Sequence, residues 1–200
     1  MEIKRFLEKL SSDTPTPGGG SASALAGALS ASLVAMAAGL SMKKGRLKQE
    51  EMGEVKREAL KIQKRLLQAV NEDAASYDEV INAFRLPKNT EEERLSRNKM
   101  IQKAYRGATV ALQLVCQHSI QLLDYSRRLI LKGNPNAVSD VGVAAFLADA
   151  ALAGGLLNIG INLIPGTERK FLRRMNLLMR QYGQKRNQLM GKIIKVLKRF

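Results

Sequence analysis

The chain reads as helix along almost its whole length, because apolar residues recur at steps of three and four and no run alternates as a strand does. A short amphipathic helix is expected over about Glu2–Leu10. Asp13-Thr14-Pro15-Thr16-Pro17-Gly18-Gly19-Gly20 then reads as a rigid turn followed by a flexible one. Ser21 opens a helix of small residues reaching about Met42, and Lys43–Gln49 is a polar link. A third helix is expected over about Glu50–Arg85, with Val55, Ala59, Ile62, Leu66, Val70, Tyr77, Val80 and Phe84 on one face. Leu86-Pro87 stops it. Asn89 or Thr90 can cap a fourth helix, with Glu91–Glu93 favourable in its first turn, and the pattern Ile101, Ala104, Ala108, Leu112, Val115 and Leu122 carries it to about Leu131. Gly133-Asn134-Pro135-Asn136 breaks the chain before a second small-residue helix, about Ser139–Leu163. Pro165-Gly166 ends that helix, and a basic amphipathic one runs over about Thr167–Arg199.

These elements predict an all-α bundle of about five to six helices, two of them long, with the two Ala/Gly/Ser-rich helices at the centre. Small side chains let helix axes approach closely there. Ala22–Leu40 is uncharged and long enough for a bilayer, but it is mostly Ala, Gly and Ser, which suits a helix packed inside protein better than one in lipid. The charged N-terminus lacks the apolar core of a secretory signal, so a cytoplasmic setting is expected.

Composition narrows the chemistry. Cys116 and His118 are the only residues of their kinds, which leaves no disulfide framework, no Cys-rich zinc site and no His–His metal pair. No metal and no cofactor is expected, and proton transfer falls to carboxylates, lysines or one imidazole. The net charge is +15, but residues 166–200 hold eleven Lys/Arg and one acid, so the body carries only a third of it. The expected division is therefore a helical domain over 1–165 and a basic C-terminal helix over 166–200.

One residue breaks the apolar pattern most clearly. Asp73 falls between Val70 and Tyr77 on the stripe of the third helix. A carboxylate on an apolar face must be paired, hydrogen-bonded or protonated, and burial tunes a carboxyl group for acid–base work near neutral pH. The alternative is a structural carboxylate paired with an Arg or Lys of a neighbouring helix. Asp149, alone among alanines, reads as a partner contact or an exposed edge, and Asp140 after Ser139 reads as part of a helix start. Asn158 and Asn162 lie one turn apart and need partners, which a polar heterocycle or a cross-helix hydrogen bond would supply equally well. Gly18-Gly19-Gly20-Ser21 could receive an anion on helix N–H groups but is no nucleotide fingerprint.

Taken in order, these motifs resemble the formiminotetrahydrofolate cyclodeaminase and methenyltetrahydrofolate cyclohydrolase family, which includes the C-terminal domain of formiminotransferase-cyclodeaminase. The pieces are Pro17-Gly18-Gly19-Gly20-Ser21 with Ala24–Leu29, Asp73-Ala74 with Tyr77, Leu86-Pro87-Lys88 with Thr90-Glu91-Glu92 and Arg97, Gly133-Asn134 with Ser139-Asp140, and Asn158 with Ile161-Asn162-Leu163. Together they cover about residues 1–165. The resemblance implies an all-helical homodimer acting on tetrahydrofolate one-carbon derivatives, with Asp73 as the catalytic carboxylate. It carries over Ser21, Lys88, Arg97, Asn134, Asp140, Asn158 and Asn162 as substrate-binding groups. Cyclodeaminase is the favoured activity, converting 5-formimino- to 5,10-methenyl-tetrahydrofolate with release of ammonia; cyclohydrolase, giving 10-formyl-tetrahydrofolate, is the alternative. Ala111 departs from a position where the family often has Pro. The competing reading is a non-enzymatic helical module whose basic tail contacts nucleic acid or anionic lipid. The modest charge of the body argues against nucleic acid as the partner.

Overall fold

A computed structural model describes residues 2–44 and 49–199. It contains six α-helices among these residues and no strand: α1 (Ile3–Leu10), α2 (Gly19–Lys44), α3 (Gln49–Phe84), α4 (Glu91–Lys132), α5 (Val138–Asn162) and α6 (Arg169–Leu197). A single 3-10 turn, Pro135–Ala137, joins α4 to α5. The all-α bundle expected from periodicity is what forms. Of the expected polar link, residues 45–48 lie outside the described residues.

The two small-residue helices are central. α2 packs against α3, α5 and α4, and α5 against α4, α2 and α6. Ala24, Ala31, Val34, Ala37 and Ala38 of α2, with Ala144, Ala145, Ala148 and Ala151 of α5, have no exposed surface. Close approach is the reason for their size. A Cβ on Gly27 would stand 2.8 Å from Leu66 of α3 and 3.5 Å from Ala151 of α5, so three helices meet at a position with no side chain. Ser30 Oγ donates to the Ala144 carbonyl at 2.7 Å, tying α2 to α5 where both are buried.

The capping predicted at the start of α4 is present and belongs to Thr90 rather than Asn89. Thr90 Oγ1 accepts from Glu93 N, and Glu93 reaches back to the Thr90 N–H, a reciprocal capping box. α4 then runs unbroken through Ala111.

One expectation changes. The apolar stripe of α3 is buried at Val55, Ala59, Ile62, Leu66, Val70 and Val80, but Tyr77 and Phe84 are exposed. The last turns of α3 meet the first turns of α4 in a second small core of Val80, Ala83, Ile101 and Ala104, against which Tyr105 and Ile164 also pack. The basic C-terminal helix packs against α4 and α5. Phe171, Met175, Leu189, Met190 and Ile193 of α6 are buried, and Leu189, Met190 and Ile193 join the main core.

Candidate active site

The site begins where α2 begins. The Ala22 N–H closes the first turn on the Gly18 carbonyl at 3.0 Å. Gly20 then presents bare backbone to α3: a Cβ there would lie 2.1 Å from Asp73 Oδ1 and 2.8 Å from Oδ2. Any larger residue would push the carboxylate away. Ser21 is fully buried, and its Oγ stands 2.8 Å from Asp73 Oδ2 and 3.0 Å from the Val70 carbonyl. One hydroxyl proton faces two acceptors, so Ser21 can donate to the carboxylate, or donate to Val70 while accepting from a protonated Asp73. Either protonation state of Asp73 keeps a partner.

Asp73 itself is half-buried. Among the described residues it forms no ion pair with Lys or Arg, unlike Asp149, which is held bidentately by Arg186 of α6 at 2.5 and 2.7 Å. The paired-carboxylate reading thus applies to Asp149, and Asp73 remains an open carboxylate. α5 brings Asn158 to the same corner, its Nδ2 3.4 Å from where a Gly19 Cβ would be. That nitrogen donates to the Gly154 carbonyl at 2.9 Å, which turns the amide toward the start of α2.

One turn along α5, Asn162 lines a cleft of about 820 Å³ together with Phe84, Arg97, Tyr105, Arg106 and Ile164. The overhang of the α3–α4 hairpin forms one wall, and the turn between α5 and α6 forms another. Arg97 donates Nε and Nη2 to the Phe84 carbonyl at 3.2 and 3.1 Å and stacks on the Phe84 ring, so it caps α3 as well as facing the cleft. Asp73 and Phe84 are eleven residues apart on one helix, about 16 Å along its axis. The carboxylate corner and the cleft thus lie about three turns apart along α3, with Asn158 and Asn162 of α5 one turn apart at the corner and in the cleft.

Of the other residues singled out by sequence, Lys88 is exposed on the α3–α4 loop, where its carbonyl accepts from Arg94 Nε at 3.0 Å. Asn134 joins α4 to α5: its N–H donates to Ser41 Oγ, its Nδ2 to the Leu40 carbonyl, and its Oδ1 accepts from Asn136 N. Asp140 is in the first turn of α5. Ser41 lies twenty residues along α2 from Ser21, about 30 Å away, so Asn134 and Asp140 are at the far end of the bundle. The structure brings together Ser21, Asp73 and Asn158 at one corner and Arg97 with Asn162 in the cleft.

Sequence reasoning missed Gly20 as a steric partner of Asp73 and missed Arg106. Its available signal was the basic series Lys99, Lys103 and Arg106 at helical spacing on α4. Cys116 takes no part in this surface. It is buried beside Gly155, and burial pushes its thiol up to about 12. Among the described residues no group of three or more His, Cys, Asp and Glu is placed to hold a metal ion.

Comparison with known proteins follows the same outline. A family model described as formiminotransferase-cyclodeaminase matches residues 2–181. Methenyltetrahydrofolate cyclohydrolase of Methylorubrum extorquens is 35% identical over 171 residues, 84% of this chain and 82% of that protein. Formimidoyltransferase-cyclodeaminase of Rattus norvegicus is 29% identical over 173 residues, covering 84% of this chain but only 32% of its own length. The chain thus spans about a third of that longer protein. The crystal structure of formiminotetrahydrofolate cyclodeaminase from Thermotoga maritima shares the fold, with a TM-score of 0.88 at 24% identity over 99% of this chain and 96% of that one.

Proposed function

From the premise that the chain belongs to the formiminotransferase-cyclodeaminase family, we propose that it is an enzyme of folate one-carbon metabolism working at the carbon carried on N5 and N10 of tetrahydrofolate. The observation that carries the chemistry is Asp73: an unpaired carboxylate held by a buried serine against a glycine, at the open start of a helix. In the cyclodeaminase direction N10 attacks the formimino carbon. With the formimino group entering protonated, as an amidinium, Asp73 takes the N10 proton and delivers it to the departing NH2 nitrogen, which leaves as ammonia as the cationic 5,10-methenyl bridge forms. In the cyclohydrolase reaction water adds to the methenyl carbon, Asp73 takes a water proton and passes it to N5, and the N5–carbon bond opens to 10-formyl-tetrahydrofolate as the remaining hydroxyl proton is released. Both routes pass through a tetrahedral carbon and ask the same residue to move a proton between neighbouring heteroatoms. Ser21 fits this task because it partners Asp73 before and after the transfer. We assign Asn158 and Asn162 to the polar edge of the pteridine and Arg97 to a carboxylate of the glutamate end.

Similarity along most of the length of a relative named as a cyclohydrolase supports the hydrolytic reaction. The motifs shared with the bifunctional proteins support the deaminating one. Separate supply of 5-formimino- and 5,10-methenyl-tetrahydrofolate distinguishes them. Appearance of methenyl absorbance with ammonia marks the deaminase, and accelerated loss of that absorbance marks the hydrolase. Absence of change with either substrate in folded protein would overturn the proposal.

The same reading includes a cytoplasmic homodimer. α2 and α5 are long and apolar enough to cross a membrane by length and composition, yet about half of the α2 window and 39% of the α5 window are buried in the core. Their remaining surface is an apolar stripe on each side of the α2–α5 seam, with Leu29, Met36 and Leu40 on one and Val143, Phe146, Leu157 and Ile161 on the other. A second copy of the chain is the occupant that this charge-free face suits. The face runs from the Ser21 end of α2 to the Asn134 and Asp140 end, so only a partner copy could bring those two residues to a site.

A further inference from the structure

The mouth of the cleft is crossed by an ion pair that the chemistry above does not use. Arg106 Nη1 of α4 donates to Glu168 Oε2 at 3.1 Å, and the guanidinium lies 4.8 Å from the centroid of the Phe171 ring. Arg97 sits likewise on Phe84 at 5.3 Å. Two arginines are therefore oriented by aromatic rings around one cleft. Glu168 is the only acid lining it, against Arg97, Lys99, Lys103 and Arg106.

The position of Glu168 is built. Ile164–Thr167 form a tight turn closed by Thr167 N to the Ile164 carbonyl at 3.1 Å. Gly166 adopts a φ of 87° in that turn, a conformation that favours glycine. Glu168 follows as the residue preceding α6, but its side chain makes no capping bond and reaches Arg106 instead. Both side chains are more than half exposed, 56% and 58%. Such a pair contributes little to stability, so exchanging Glu168 for another carboxylate costs almost nothing.

We infer that Glu168 occupies the place of a substrate carboxylate. The cleft is the subsite for an aryl-amide arm ending in a dicarboxylate, Arg106 is its receptor, and Glu168 is a built-in competitor that is displaced on binding. This rests on the proposed function for the identity of the ligand. Phe84 lies roughly 16 Å from Asp73 along α3, a length that the arm and the side chains of Asp73 and Arg106 have to span together. Arg97 takes the second carboxylate with the guanidinium nitrogen that Phe84 leaves free.

The test uses the full chain and two readouts: binding of p-aminobenzoylglutamate, which needs no turnover, and KM and kcat for whichever of 5-formimino- and 5,10-methenyl-tetrahydrofolate is turned over. Glu168→Gln keeps the size and removes the competing charge. It should tighten the probe and lower KM by about two- to five-fold, the range an exposed ion pair represents. Arg106→Gln should weaken the probe and raise KM by about tenfold. In both variants the effect sits in KM rather than kcat. Glu58→Gln, which removes the same charge from the exposed Lys61–Glu58 pair, controls for net charge. If Glu168→Gln behaves like Glu58→Gln, or Arg106→Gln leaves probe affinity intact, the inference is overturned. If the probe responds as expected but neither folate is turned over, the subsite stands and the folate reaction fails.

Discussion

Gly20 and Asp73 show how little space the proposed chemistry is given. The carboxylate occupies the volume that a side chain on Gly20 would need, 2.1 Å from the missing Cβ. Gly20→Ala should therefore displace Asp73 and lower kcat by an order of magnitude or more, while a good helix former at that position costs the fold little. Asp73→Asn should lower kcat by about 10²–10⁴ in a protein that still folds, the range of a lost acid–base group. Near-normal turnover would remove Asp73 from the mechanism. Asp73 was legible from sequence as a carboxylate in an apolar stripe; Gly20 was not, because a steric partner on another helix leaves no local signature. Cys116 makes the opposite prediction. With its thiol pushed up to about 12 by burial, it should resist thiol reagents at pH 8 in the native protein and react on unfolding. The sign for stability follows. The folded protein keeps the neutral thiol while the unfolded chain ionises near 9.0, so this residue's contribution is intact below about pH 9 and declines as pH rises toward 12.

Among the elements, α6 changed most between pattern and structure. Its amphipathic character was readable, with basic residues on one side and Phe171, Met175, Leu189 and Ile193 on the other. Whether its apolar side faced solvent, a partner or this chain's own core depends on what α4 and α5 present to it. They present Asp149, which Arg186 of α6 clasps, and the main core, in which Ile193 is fully buried. Arg186 is held charged more firmly by its hydrogen bonds to Asp149. Ile193→Ala should destabilise the protein by about 2–4 kcal/mol in urea unfolding. A loss below about 0.5 kcal/mol would mean that α6 is docked only loosely. The basic side of α6 remains exposed, so tail charge and core packing belong to opposite faces of one helix.

At the scale of the molecule, α2 and α5 carry apolar residues around their circumference, and the fold covers only part of them. Phe146→Glu and Leu29→Lys place charges on the uncovered face without touching the core. Sedimentation should report a smaller particle for either variant than for the parent, and an unchanged parent-sized monomer would remove the proposed dimer. The cap of α4 was narrowed only to Asn89 or Thr90, whereas the helices and their order were determined by sequence alone, because periodicity and helix-breaking act over a few residues. So was the centrality of the two small-residue helices, since chain segments without bulk can only be buried against others. Tertiary structure alone decided the functional surface. α2 starts at the level of Asp73 while α3 and α4 continue past it, and that offset opens both the carboxylate corner and the cleft. An offset between helix ends is set by how side chains interlock across three packed helices, and no stretch of sequence records it.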